Sequence, residues 1–449
     1  MTIRQTLVFC LAMFGLALPL SAKPNIVFIL ADDLGYADVG CYGCPDAKTP
    51  NIDSLATHGL KFANFYAMGP QCTPSRTSIL TGRYPQRAGG MECAIGTGNI
   101  GRYDEAIALA EKGELGLPPN LAMLAPALKS VGYINGVFGK WHLGYDPRFN
   151  PLDQGFDAFT GFLGGNVEYF KHDELSDLDV YLKGRDPIER EGYLTDLITA
   201  DAVEFLDERA KEPEKPFFLY VPHGAPHFPF QGPNDREPER TAENWMEGTR
   251  LTYASMLESL DASVGRVLEA LEANGQAENT LVIFASDHGA MKPGLNTPWR
   301  DYKSTLFEGG IRVPCLVRWP GVIESGTMSR QVGTLMDLTT SFLRIAGAET
   351  PDGKGLDGID ILKHVTDGKP DEPRTLFWRY RRGDLTWWAA RDANVKLVRK
   401  LEAGKVEEWL FDLVTDPTET KSVAAEHPED YSRLQKALMR WEQEVRPMR

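Results

Sequence analysis

Four predicted strand ends in this chain are each followed at once by groups that hold a cation or move a proton. Asp32 and Asp33 follow one apolar run, Lys140, Trp141 and His142 a second, His223 and His227 a third, and Asp287 with His288 a fourth. One polar loop after a strand is ordinary. Four such loops carrying carboxylate, ammonium and imidazole groups point to one shared site, because open α/β sheets place their sites just beyond the carboxyl ends of their strands. Carboxylates are hard oxygen donors of the kind Ca2+ prefers. Imidazole titrates near neutrality and serves as acid or base. A fifth piece, residues 72–76 (CTPSR), opens a short predicted helix, where backbone N–H groups favour an anion.

The elements that must position these groups follow from the apolar pattern. Residues 25–30 (NIVFIL), 135–138, 216–221, 280–285 and 313–318 are continuous apolar runs of strand length. Helical periodicity covers 120–131, with Asn120 as the expected cap and Gly132 as the stop, 193–210, and 245–273 ending at Asn274 and Gly275. Strands alternating with helices predict an α/β fold: a large, mostly parallel sheet sandwiched by helices. From about residue 370 the texture changes. Segments 375–379, 387–391, 395–401 and 409–412 predict a small antiparallel sheet, and 429–445 a final amphipathic helix. The expected division is 1–22 as a signal peptide, 23–369 as the catalytic domain, and 370–449 as a C-terminal α+β subdomain.

The 449 residues include 48 Lys and Arg against 63 Asp and Glu, a net charge of −15, with 42% hydrophobic and 25% charged residues. Such proportions exclude collagen, coiled coil and wholesale disorder. The acidic balance argues against nucleic acid as a partner, since binding a phosphate backbone requires a basic face. Residues 1–22 stand apart: Arg4, an apolar run over 7–20 that is short for a membrane span, then Ser21 and Ala22. They read as a secretory signal peptide cut after Ala22, which predicts an exported protein, periplasmic or secreted, without stable membrane insertion. Pro19 and the brevity of the run disfavour an uncleaved anchor. Beyond Cys10 the chain has Cys41, Cys44, Cys72, Cys93 and Cys315, an odd number that leaves at least one free thiol. Cys41 and Cys44, spaced C-x-x-C, are expected as a local disulfide or as two buried thiols.

Residues 72–83 (CTPSRTSILTGR) make a resemblance specific. C-x-P-S-R followed by x-x-(I/L)-x-T-G-R is the hallmark of the type I sulfatases. The other pieces match that family in order: 25–35 (NIVFILADDLG), 139–144 (GKWHLG), 285–289 (ASDHG), Lys303 with 308–314 (EGGIRVP), 319–321 (WPG) and 409–418 (WLFDLVTDPT). The resemblance covers nearly all of the chain after residue 22. It implies an alkaline-phosphatase-like fold and a sulfuric ester hydrolase, with a sulfated carbohydrate as the expected substrate. In that family the motif cysteine is oxidised to formylglycine, which implies a formylglycine-generating enzyme as a maturation partner. The aldehyde hydrate carries two hydroxyls on one carbon. One attacks sulfur and displaces the alcohol; deprotonating the other expels sulfate and regenerates the aldehyde.

Carried residue by residue onto this chain, the resemblance makes Cys72 the nucleophile precursor and Arg76 the group that holds it. Lys140 and Lys303 become contacts to sulfate oxygens, and His142 the base for the second hydroxyl. His227, in HFPFQGP, becomes the acid that protonates the leaving alcohol, with His223 as its rival. Asp32, Asp33, Asp287, residue 288 and the oxygen of matured Cys72 would hold one divalent ion, expected as Ca2+. Clustered carboxylates in an anion-cleaving site need such a cation. His288 departs from the Asn found in many members, and its nitrogen leaves a softer ion open. Two other readings are weighed: a phosphodiester or phosphonate monoester hydrolase of the same superfamily, and a catalytically silent glycan-binding homologue. The second is disfavoured because Cys72, Arg76, Lys140, His142, Asp287 and Lys303 are all present. Trp299, Trp387 and Trp388 either line a sugar subsite or pack the core, and residues 91–116 and 164–190 are expected to shape the pocket.

Overall fold

A computed structural model describes residues 23–175, 180–236 and 240–448; the expected signal peptide, 1–22, lies outside them. Strand Asn25–Ala31 runs through the middle of a ten-stranded sheet because its residues are apolar on both faces. Ile26, Phe28 and Leu30 enter one core, with Phe218, Tyr220 and Phe342. Val27 and Ile29 enter the other, beneath Leu257, Leu260 and Val264 of helix Arg250–Ala273. Helices on both faces are what an apolar parallel strand requires.

The sheet order is Thr327–Ser329, Leu60–Phe62, Cys315–Arg318, Thr280–Ser286, Asn25–Ala31, Phe217–Pro222, Ile134–Lys140, Ala158–Phe162, Leu182–Lys183, Asp186–Pro187. The run from Thr280–Ser286 through Ala158–Phe162 is parallel throughout, so these strands end on one edge. Antiparallel pairing is confined to the flanks, as at Cys315–Arg318. The expected α/β fold is therefore the one observed.

Two helices differ from the sequence reading. Over 120–131, a 3-10 turn at Pro119–Leu121 is followed by helix Leu124–Ser130, so Asn120 is no cap. Pro126 has no N–H, and beginning at Leu124 keeps it within the first turn, where none is needed. Over 245–273 the helix begins at Arg250, capped by the Thr249 hydroxyl accepting from the Thr252 N–H. A Cβ at Gly248 would meet Phe230 Cβ at 2.4 Å and its ring at 2.5 Å, so the chain there is held against Phe230 instead of coiling.

Strands Thr375–Arg382, Leu385–Asp392, Val395–Glu402 and Lys405–Asp412 form an antiparallel meander, longer than its apolar segments suggested because the hairpin turns close tightly. Helix Pro428–Glu444 covers one face through Leu434, Leu438 and Trp441. Two features tie this sheet to the rest. The Trp378 indole N–H donates to the Ala67 carbonyl at 2.7 Å, and buried Lys396 pairs with Glu308 and Glu419 at 2.8 Å each. Cys41, Cys44, Cys72, Cys93 and Cys315 are all free thiols. No helix among the described residues is long and apolar enough to cross a membrane.

Candidate active site

The parallel edge gathers the polar strand ends. Ala31 and Ser286 are register partners, so Asp32–Asp33 and Asp287–His288 leave adjacent strands side by side. Lys140 closes its own strand, and His227 lies in the loop after Phe217–Pro222. Helix Cys72–Thr81 points its first residue at this edge. Pro74 sits in its first turn and Gly82, at φ 64°, ends it. Asp33, His142 and Ser304 have φ of 61°, 58° and 71°, a left-handed backbone that only surrounding structure can hold in such residues.

Asp32, Asp33, Arg76, Lys140, Asp287 and His288 are each at most 1% exposed. Cys72 Sγ lies 3.4 Å from Asp32 Oδ1, 3.3 Å from Lys140 Nζ, 3.4 Å from His288 Nε2 and 3.9 Å from Lys303 Nζ. Lys140 donates to Asp32, and Lys303 to both Asp33 oxygens at 2.7 and 2.9 Å. Arg76 donates from Nε and Nη2 to Asp287 Oδ2 at 3.3 and 3.1 Å and from Nη1 to the Lys140 carbonyl at 2.9 Å. His288 Nε2 is 3.3 Å from Asp33 and 3.4 Å from Asp287.

The electrostatics follow from this packing. Burial alone would push the Cys72 thiol up, but Lys140, Lys303 and His288 hold it well below its ordinary value. Burial, with Asp32 and Cys72 close by, raises Asp287 to about 7 despite His288 and Arg76. Burial would lower His288, yet Asp287, Cys72 and Asp33 raise it to about 9. A carboxyl driven toward its neutral form beside an imidazole driven toward its cation marks surplus negative charge. Asp32, Cys72, Asp287 and His288 offer donor atoms all within 4.8 Å of one another, and Asp32, Asp33, Cys72 and His227 do likewise. These donors, two carboxylate oxygens with one sulfur and one nitrogen in each group, fit a divalent cation.

Above Cys72 a cleft of about 390 Å3 opens, with His142, His227 and Lys303 in its walls. His142 Nε2 faces the Ile95 carbonyl at 2.9 Å and so carries the proton, leaving Nδ1 buried without a partner. Burial lowers the His142 pKa, with Cys72 pulling the other way. His227 Nδ1 donates to the Phe228 carbonyl at 2.6 Å, and its Nε2 stands 3.7 Å from Asp33. His223 does not line the cleft. Its Nε2 pairs with Ser263 Oγ at 2.9 Å, and burial drives it down to about 3.

Sequence reasoning missed several cleft residues. Gln71, whose amide donates to Ser304 Oγ at 2.8 Å, Tyr145, Arg102 and Arg382 all line it. Gln71 adjoins the motif cysteine and Ser304 adjoins Lys303, so adjacency was the available signal; Arg102 falls within the 91–116 segment expected to shape the pocket, and Arg382 carries no signal. Ala94, Ile95, Thr97 and Arg102 line it from one of the two segments expected to shape the pocket, and Gly165 and Asn166 from the other. The three tryptophans do not. Trp299 stacks on Arg312, Trp387 packs on Phe307 and Trp409, and the Trp388 indole donates to Glu442 at 2.6 Å.

A parallel sheet whose strand ends supply buried carboxylates, lysines and imidazoles around one buried cysteine is the arrangement of a hydrolase of the alkaline-phosphatase-like fold. A family model described as Sulfatase matches residues 24–348, and one described as N-sulphoglucosamine sulphohydrolase, C-terminal, matches 297–446. Mouse N-acetylgalactosamine-6-sulfatase is 35% identical over 398 residues, covering 84% of this chain and 73% of the relative. Human arylsulfatase A is 34% identical over 388 residues, covering 81% and 71%. The solved structure of Ps i-CgsB in complex with k-i-k-neocarrahexaose superposes with a TM-score of 0.81 at 30% identity, covering 93% of this chain and 92% of that one. The chain belongs to the sulfatase family, and it is a sulfuric ester hydrolase.

Proposed function

We propose that this protein is an exported enzyme that removes sulfate from glycans, using Cys72 matured to formylglycine and one divalent ion, Ca2+. The observation that carries the reading is the setting of Cys72: buried at a helix start between two lysines and a carboxylate-rich cluster, at the floor of a cleft walled by His142 and His227. The sulfated sugars named for its relatives support a glycan substrate. The apolar run over 7–20 followed by Ser21 and Ala22 supports export.

Asp32, Asp33, Asp287 and His288 would hold the ion, which supplies positive charge beside the reacting oxygen and sulfate group. Lys140 and Lys303 now neutralise Asp32 and Asp33. With those carboxylates otherwise compensated, the two ammoniums can turn their charge on sulfate oxygens, where it counts for more as the transition state forms. Arg76, clamped by Asp287 and the Lys140 carbonyl, keeps its charge beside residue 72. Lowered by burial, His142 is neutral at neutral pH, and its free Nδ1 can accept a proton. His227 has Nδ1 occupied, so Nε2 is the atom that can deliver a proton to a leaving oxygen.

The test uses protein made in a host that carries the maturation enzyme. Mass spectrometry of the Cys72 peptide is expected to show the aldehyde, and ion chromatography is expected to show inorganic sulfate released from sulfated mono- and oligosaccharides. Unmodified thiol throughout removes the formylglycine reading. Faster cleavage of an aryl phosphodiester than of the matching aryl sulfate removes the sulfate reading.

A further inference from the structure

The cleft above Cys72 has a charge pattern of its own. The chain holds 63 acidic residues, yet no carboxylate lines this cleft among the described residues; its permanently charged walls are Lys303, Arg102 and Arg382. Lys303 is engaged with Asp33. Neither arginine forms an ion pair with a described residue, although their neighbours do: Arg379 pairs with Glu92, and Arg381 with Asp104 and Glu105. The two come from distant parts of the chain. Arg102 follows the loop closed by the Gly96–Ile100 bridge, and Arg382 ends strand Thr375–Arg382 of the C-terminal sheet. The Gly383 N–H donates to the Arg102 carbonyl at 2.7 Å and holds these segments side by side. The Arg102 guanidinium lies over Gly96, where a Cβ would stand 3.1 Å from Nη2.

We infer that Arg102 and Arg382 form a second oxyanion subsite, which binds a further sulfate or carboxylate on the same glycan beside the scissile sulfate. The inference rests on the sulfate-ester reading above and narrows its substrate class to glycans with two neighbouring anionic groups. Guanidinium forks match sulfate and carboxylate oxygens in pairs. In an acidic chain, a cleft wall without carboxylates that carries two uncompensated guanidiniums favours such a ligand over a neutral sugar, whose hydroxyls would gain little from either charge.

The experiment measures inhibition of aryl-sulfate turnover by three disaccharides on one hexosamine backbone: monosulfated, disulfated, and monosulfated with a uronic acid. Wild-type enzyme is expected to bind one doubly anionic compound at least about tenfold more tightly than the monosulfated one, as charged hydrogen bonds imply; the preferred compound identifies the oxyanion. The double variant Arg102→Gln, Arg382→Gln is expected to bring that ratio to about one, and Arg102→Lys with Arg382→Lys to restore part of it. A ratio near one in the wild type, or one that survives the double Gln substitution, overturns the subsite. So does a parallel loss of affinity for all three compounds, which leaves the ratio intact. Absence of sulfate release from every ester would instead defeat the proposed function. Calorimetric titration of the same compounds into Cys72→Ser protein, with and without the double Gln substitution, would then decide the subsite by the same ratio.

Discussion

His223 and His227 lie four residues apart, and their surroundings predict opposite consequences when each is replaced by Ala. His227 lines the cleft with Nε2 turned toward Asp33 at 3.7 Å. Loss of a proton donor to the leaving oxygen costs about 10^2- to 10^4-fold in kcat on a sugar sulfate, whose alcohol leaves poorly. The cost on an activated aryl sulfate is much smaller, because a phenolate needs less help. His223 is fully buried and bonded to Ser263, whose hydroxyl also contacts Thr199 at 2.6 Å. Its removal leaves a void and breaks one hydrogen bond, a loss of about 2–4 kcal/mol of stability, with turnover largely kept. That loss also depends on pH. The folded-state pKa of His223 is depressed from 6.5 to about 3, so between those values the unfolded chain binds a proton that the folded one refuses. The wild type therefore loses stability as pH falls through this window, and a His223→Ala protein does not lose that share. The stability difference should shrink by about 2 kcal/mol between about pH 8 and about pH 5. Urea unfolding at the two pH values, with kinetics on a sugar sulfate and an aryl sulfate, reads all of this. The reasoning is refuted if His223→Ala abolishes turnover in a folded protein, or if His227→Ala slows both esters equally.

Removing divalent ions with a chelator should abolish sulfate release and lower the melting temperature, and Ca2+ at about a hundred times its Kd should restore about 2.7 kcal/mol; zinc recovered from the purified protein, with no response to Ca2+, would refute the oxygen-site reading. Gly165→Ala should slow kcat by about 10- to 100-fold at nearly unchanged melting temperature, because the new Cβ would stand 2.8 Å from His142 Cε1 and displace the ring; unchanged kcat would separate His142 from the chemistry. Lys396→Met strips the buried partner of Glu308 and Glu419 and should cost about 3–5 kcal/mol in urea unfolding, with a loss under about 1 kcal/mol counting against that cluster as a tie between the C-terminal sheet and the main body.

The legible parts of this fold were those with local causes. A short, β-branched apolar run such as NIVFIL reads as a doubly covered strand, and parallel neighbours of the same kind bring their following residues to one edge. That rule alone assembled Asp32, Asp33, Lys140, His142, Asp287 and His288. Helix starts were less legible because tertiary packing overrode periodicity: Gly248 against Phe230 delays one helix, and Pro126 delays another. His223 and His227 follow the same strand and carry the same side chain; only the position of Ser263, forty residues on, turns one inward. Arg382 was invisible for a similar reason, and Arg102 was legible only as part of the 91–116 segment. Nothing near either residue indicates that a loop and a C-terminal strand meet at the cleft, and the Gly383–Arg102 hydrogen bond that joins them spans most of the chain.

A chain of net charge −15 that cleaves anions must separate its own charge from its substrate's. The structure does this by depth. Asp32, Asp33 and Asp287 lie beneath Cys72, each in contact with Lys140, Lys303 or Arg76, so their field is compensated at a few ångströms. The cleft above presents lysine, arginine and imidazole, without a carboxylate among its described lining. Surface carboxylates further away act through water and salt, where a screening length of about 8 Å mutes them. The local field at the cleft is therefore set by its own cations. With Cys72 as the unmodified thiol, three buried carboxylates and a thiol held below its ordinary pKa exceed what two lysines and one arginine offset. The surplus, visible in the raised Asp287 and His288, is what a divalent cation held among these donors would neutralise.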